Sequence, residues 1–239
     1  MNDRGELIKI LVQSLGKKFS SRLGIDLSST KNEEIFKWFL ASILFGARIS
    51  ESIAANTYKE FEKEEVVSPL KILKTGWDGL VKILDKGGYV RYDFKTATKL
   101  LEVMRNFEDK YGGDFSRLHQ EARNSRDLEK RIKNLGKGIG EVTVGIFLRE
   151  LRGLWQKANP SLSPLVFMAA RNLRLVGEED TALSGLEKLR LLWKENRVSG
   201  KEFADFEVAL LRLAKDWCRR RKCRDCIVKK YCPSANNEL

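Results

Sequence analysis

The sequence predicts an all-α fold. Apolar residues recur at helical spacing along most of the chain, prolines number only 4 in 239 residues, and no segment alternates apolar and polar residues as a half-buried strand does. A hydrophobic share of 42% is enough to fill a core, in one large domain or two small interleaved ones, and no internal repeat is present.

Taken in order, Leu7, Ile10, Leu11 and Leu15 form one stripe, which predicts an amphipathic N-terminal helix. Ser28-Ser29-Thr30 offers side chains able to cap a helix start. Residues 34–61 then read as one long apolar helix or two shorter ones broken near Gly46, with Ile35, Phe36, Phe39, Leu40, Ile43 and Leu44 as central core. Helical patterns return at 70–84 and 97–107, separated by Gly87-Gly88-Tyr89 and an exposed Arg91-Tyr92-Asp93 loop. Another loop falls at Tyr111-Gly112-Gly113-Asp114. Leu128, Ile132 and Leu135 mark a short helix that stops at a glycine-rich turn, after which Val144, Phe147, Leu148 and Leu151 resume the period. Two prolines, Pro160 and Pro164, bound a loop before further helices near 165–175, 184–196 and 201–217.

Lysine and arginine exceed aspartate and glutamate by 45 − 33 = 12, so the expected partner is polyanionic. Charges scattered through residues 1–27 break up any signal-peptide core, and no stretch is long or apolar enough to span a bilayer. The expected setting is therefore intracellular, cytoplasmic or nucleoid-associated, with no membrane partner and a monomeric chain. Thiols stay reduced there, and four cysteines confined to the last 22 residues point to metal before disulfides. Scarce glutamine (Gln13, Gln120, Gln156) beside abundant lysine and glutamate is the balance of a heat-loving source.

Two motifs carry chemistry. In Leu135-Gly136-Lys137-Gly138-Ile139-Gly140, glycines let the backbone turn sharply and approach another molecule closely, and the helix that follows offers unbonded N–H groups and the positive end of its dipole to an anion. Lys137 adds charge, and Ile139 is expected to pack between the two helices. The second motif is Cys218, Cys223, Cys226 and Cys232, spaced C-x4-C-x2-C-x5-C. Four soft ligands so close in sequence suit a tetrahedral zinc ion or an iron–sulfur cluster, and spacing alone does not separate the two. Arg219, Arg220, Arg221 and Lys222 lie between the first two cysteines; residues 215–230 carry eight basic and two acidic side chains, a net 8 − 2 = +6, placed to neutralise phosphates.

The string from Leu135 to Val144 resembles the helix-hairpin-helix of the endonuclease III superfamily of DNA glycosylases, and the cysteine run resembles the loop that closes such chains around a [4Fe-4S] cluster, with a first interval two residues shorter. The resemblance implies a two-lobed helix-hairpin-helix fold: a helical barrel over residues 30–153, and a cluster lobe made of 1–29 with 154–239. It implies base-excision DNA repair on double-stranded DNA, damaged or mismatched, held in a groove between the lobes. It assigns phosphate-binding amides to Gly138, Ile139 and Gly140, a [4Fe-4S] cluster to the four cysteines, and hydrolysis of the N-glycosidic bond as the family reaction.

Three family positions depart from the pattern. Val142 stands where bifunctional members carry a Schiff-base lysine, which removes lyase chemistry by that route. Ser163 stands at the family's aspartate, which supports the developing sugar cation. Ala47 falls at the polar wedge that fills the space of a flipped base, leaving Arg48, Tyr89 or Tyr92 to intercalate. A non-catalytic binder of damaged or structured DNA is the rival reading. Asp93 is the acid to test first as a replacement, and the lone His119, in a polar stretch with no evident partner, is assigned no role.

Overall fold

The computed structural model describes residues 3–236, which are helices and turns with no strand among them. In chain order the helices are α1 (Asp3–Leu15), α2 (Phe19–Arg22), α3 (Asn32–Phe45), α4 (Glu51–Lys63), α5 (Pro69–Lys86), α6 (Asp93–Tyr111) and α7 (Phe115–Glu121). They continue as α8 (Ser125–Lys133), α9 (Glu141–Glu150), α10 (Pro164–Asn172), α11 (Ala182–Glu195), α12 (Phe203–Asp216) and α13 (Pro233–Asn236). The chain divides into two compact units, residues 20–160 and residues up to 19 with those from 161 onward.

The boundaries lie away from residues 29/30 and 153/154, and local bonds give the reason. The Ser20 amide donates to the buried Glu150 carboxylate at 2.9 Å, which holds the segment after α2 within the 20–160 unit. Arg152 donates to Asn159 Oδ1 at 2.7 Å and to the Pro160 carbonyl, which keeps residues 152–160 there as well.

α3 is the centre of the 20–160 unit. Its apolar residues lie on every side rather than in a stripe, so it is stable only when covered all round, and Phe36, Trp38, Phe39, Leu40 and Leu44 are at most 1% exposed. The indole N–H of Trp38 donates to the Phe147 carbonyl at 3.0 Å, fixing α3 against α9. Around Phe39 the rings of Phe107, Phe115 and Phe147 meet: Phe115 lies 4.3 Å from Phe107, 5.0 Å from Phe39 and 5.2 Å from Phe147. The long apolar run does break at Gly46, where a Cβ would collide with Thr143 Oγ1 at 2.3 Å.

Two sequence expectations give way here, and one helix is added. α7 follows the loop at residues 111–114, because Asp114 accepts the Ser116 amide and starts a helix directly after the glycine turn. On that helix His119 has partners: its ring stacks on Trp155 at 4.7 Å and 21°, its Nε2 accepts the Lys157 amide at 3.4 Å, and burial followed by the Lys157 charge lowers its pKa. Tyr89, 1% exposed with its hydroxyl donating to the Leu44 carbonyl at 3.2 Å, is core and not available to intercalate.

In the other unit α1 and α10 pack on α12, with Leu7, Ile8, Leu11 and Val12 of α1 and Phe206, Ala209, Leu210 and Leu213 of α12 in one core. The fully buried face of α1 thus runs through Ile8 and Val12, while Ile10 and Leu15 are only partly covered. Arg212 of α12, 3% exposed, ties the end of α1 down: Nη1 donates to the Leu15 carbonyl at 2.6 Å and to that of Lys17, and the guanidinium lies 4.3 Å from the Phe19 ring centre.

Phe115→Ala removes the ring that meets Phe39, Phe107, Phe147 and Trp155 and is expected to cost about 3–5 kcal/mol. Urea unfolding checks this, as a lower midpoint with an unchanged slope.

Candidate nucleic-acid interface

The turn between α8 and α9 is built by close backbone approach. Leu135 and Ile139 are buried and anchor its two ends, so Ile139 packs as its sequence position suggests. Gly138 adopts φ +90°, a conformation that side chains oppose, and a Cβ on Gly136 would stand 2.6 Å from Val103 Cγ2 and 3.3 Å from the Val103 Cα. Gly136 is thus the point where the turn lies directly on α6.

α6 also supplies the polar contacts. Glu102 accepts the Lys137 amide at 2.8 Å, Asn106 donates to the Leu135 carbonyl at 2.9 Å, and Lys110 reaches the Asn134 carbonyl at 3.2 Å. These residues escaped sequence reasoning. Their only local signal is a polar stripe, Lys99, Glu102 and Asn106, set between the buried Leu100, Val103 and Phe107.

Of the three amides expected to bind phosphate, one has a partner inside the turn. Ile139 donates its amide to the Gly136 carbonyl at 3.2 Å, because the turn closes on itself there. Gly138 and Gly140 have amides with no partner among the described residues, and α9 begins at Gly140 with no side-chain cap, so its first-turn N–H groups face outward unanswered. Nothing lies within 4 Å of a Cβ built on Gly140. A cation stands beside this opening: Lys99 Cε and Nζ lie 3.0 and 3.7 Å from the Cβ position of Gly138, and burial together with Lys95 depresses the Lys99 pKa. An open, positively polarised turn with a half-buried ammonium can receive one oxyanion.

Arg48 belongs to the same unit. It is exposed on the turn between α3 and α4, whose first residue, Gly46, packs on Thr143 in the first turn of α9. Val142 is 66% exposed. Asp93 is the first residue of α6, not a loop residue, and its Oδ1 accepts the Phe94 amide at 2.7 Å, a helix-start contact. Its neighbour Asp85 has a pKa raised by burial and then by the Asp93 carboxylate.

In the other unit, Ser163 caps α10: its hydroxyl accepts the Val166 amide at 3.3 Å, with Pro164 opening the helix. Beyond α12 the chain folds into 3-10 turns at Cys218–Arg220, Cys223–Asp225 and Lys229–Tyr231. Arg221, at φ +52°, reverses the first of them, and the Trp217 indole donates to the Asp225 carbonyl at 3.2 Å. Cys232 is buried, and Cys218, Cys223 and Cys226 are half-buried and pack against the same core. Burial pushes the Cys218 thiol up to about 11 and raises Cys226 too. Arg219, Arg220, Arg221 and Lys222 are exposed around them.

Two solved structures share this helical arrangement. A thermostable thymine-DNA glycosylase is 20% identical and matches with a TM-score of 0.57 over 98% of this chain and 97% of that one. The chain has the endonuclease III fold. Endonuclease III itself, in a trapped covalent intermediate with DNA, is 15% identical and matches with a TM-score of 0.51 over 84% of each chain. No protein-family model matches the sequence, and no curated protein matches it. Within the endonuclease III fold, the two motifs read from the sequence are a turn between packed helices and a thiol-lined end of the chain. No helix among the described residues is long and apolar enough to cross a membrane.

Gly136→Ala, which drives a methyl group onto α6, is expected to destabilise by about 1–3 kcal/mol. Gly140→Ala meets open space and should cost no more than about 1 kcal/mol. Thermal unfolding of the two variants side by side checks the contrast.

Proposed function

We propose that this chain binds double-stranded DNA, damaged or mismatched, at the α8–α9 turn, and that it is a repair glycosylase of the kind without lyase chemistry. The observation that carries the reading is the pair of unanswered amides at Gly138 and Gly140, opening on clear space beside Lys99. A phosphate there would accept both amides and meet the charges of Lys99 and Lys137, while Arg48 lies on the turn that packs on the same helix start. The resemblance to the endonuclease III superfamily supports the same assignment.

Base release would be hydrolytic, because Val142 offers no amine to form a Schiff base. Departure of the base leaves positive charge on the sugar, which a carboxylate stabilises. Ser163 carries none, and its hydroxyl is engaged in capping α10. That observation favours a second reading, a non-catalytic binder of damaged or structured DNA. Asp93 remains the acid to substitute first, against its helix-start contact with Phe94.

The four cysteines fit a metal centre by the chemistry of the donors: soft thiols, buried or half-buried, on one core. Among the described residues no three of His, Cys, Asp or Glu are placed to hold a single metal ion. The resemblance of the cysteine run favours a [4Fe-4S] cluster, in which each thiolate binds a different iron, over zinc, which needs all four around one atom. When bound, the cluster supplies folding free energy to the segment after α12. The adjacent Arg219–Lys222 run would then add non-specific phosphate contacts.

Gly140→Leu places a side chain in the space reserved for phosphate without touching the fold. It is expected to weaken duplex affinity at least about tenfold, as loss of one or two charge-assisted hydrogen bonds would. Unchanged affinity in a folded variant refutes the DNA reading. Incubation with a panel of lesion-bearing duplexes separates the two versions: abasic sites mark the glycosylase, and tight binding without base release marks the binder. Anaerobically purified protein should be brown and contain iron and acid-labile sulfide in equal amounts, and Cys226→Ser should lose the colour; a colourless protein containing zinc overturns the cluster assignment.

A further inference from the structure

Where α5 packs on the start of α6 lies an exposed aromatic pair that the phosphate site does not use. Trp77 is 39% exposed and Phe94 58%, with ring centres 5.1 Å apart at 41°. The indole is fixed where it stands, since its N–H donates to Thr98 Oγ1 at 3.0 Å. Gly76, at φ 68° and ψ 177°, breaks the helical path of α5 directly before Trp77. Large rings left in water this way, and tethered there, are available for contact.

Between this pair and the turn the surface is cationic. Lys99 lies beside Gly138 and Lys95 one helical turn earlier; burial and then the Lys95 charge lower the Lys99 pKa, and neither lysine is paired with a carboxylate among the described residues. From Lys99 back to Phe94 is five residues, about 7.5 Å along the helix axis. That length is about two nucleotide rises of about 3.4 Å. Of the acids adjoining the rings in sequence, Asp78 and Asp93, the latter accepts the Phe94 amide.

We propose that Trp77 and Phe94 form a stacking site for an unpaired nucleobase, one or two nucleotides along the strand whose phosphate the α8–α9 turn holds, with Lys99 and Lys95 neutralising the phosphates between. This rests on the DNA-binding reading above and adds a substrate class to it: duplex DNA that continues into a single-stranded stretch, as at a tail, gap or fork. An aromatic face accepts any base, whereas burying the same rings against an apolar protein would also desolvate two unpaired ammonium groups.

The test compares a blunt duplex with the same duplex extended by an oligothymidylate tail, binding the full-length, metal-loaded protein at one salt concentration. The tailed probe should bind at least about fivefold more tightly, in line with stacking of one base. Trp77→Ala with Phe94→Ala should bring the tailed probe to the blunt level and leave blunt-duplex affinity unchanged. Trp77→Phe, which keeps a ring and the fold, should retain most of the preference, while the quenching of tryptophan emission by the tail should be lost. Equal affinity for both probes in the unsubstituted protein overturns the proposal, as does a tail preference that survives the double substitution, or quenching undiminished in Trp77→Phe. Concentration-dependent self-association abolished by the double substitution, with no tail preference, would assign the rings to a second copy of the chain and equally overturn it. Failure of the blunt duplex to bind at all refutes the DNA reading itself, so the two failures are distinct.

Discussion

The contact between Gly136 and Val103 is the constraint on which the α8–α9 turn depends. A single missing Cβ lets one backbone lie directly against a helix, and Glu102 and Asn106 then bond to Lys137 and Leu135 on either side of it. With both flanks fixed, the turn must reverse over the few residues between, which forces Gly138 into a left-handed conformation and closes Ile139 back on Gly136. The amides that remain unused are those the closure cannot satisfy. The opening proposed for an anion is thus first of all the residue of a packing solution.

Much of this was legible in the sequence because its signals are local. The break of the apolar run at Gly46, the turn at 136–140 and the four closely spaced cysteines each declare themselves within a few residues. The parts that were not legible depend on distant partners. Glu102 meets Lys137 across 35 positions, and nothing in either neighbourhood announces it. Asp93 reads as a loop acid because Arg91 and Tyr92 precede it, yet it is the first residue of α6, and its Oδ1 accepts the Phe94 amide. His119 appears isolated in a polar stretch, although Trp155 and Lys157 fold back onto it from beyond α9. The bond from Ile139's amide to Gly136 was hidden for a subtler reason: a tight reversal engages one of its own donors.

The departures at Val142 and Ser163 have structural meaning beside the resemblance. Val142 is exposed in the first turn of α9, directly after Glu141, whose carboxylate pairs with Lys133. Ser163 is well chosen for its local task, since a short hydroxyl followed by proline is a stable way to begin α10. Both positions therefore satisfy the fold without supplying charge, and whatever chemistry the chain performs must draw on groups elsewhere.

Arg212 gives the molecule a temporal asymmetry. The guanidinium that ties down the end of α1 sits on α12, nearly 200 residues further along the chain. On the ribosome the first helix emerges long before the side chain that will hold it, while residues 20–160 have all their own core partners by the time Pro160 is made. α1 is thus synthesised before residues 20–160 yet secured after them, and until α12 emerges its apolar face waits uncovered, a natural client for a chaperone.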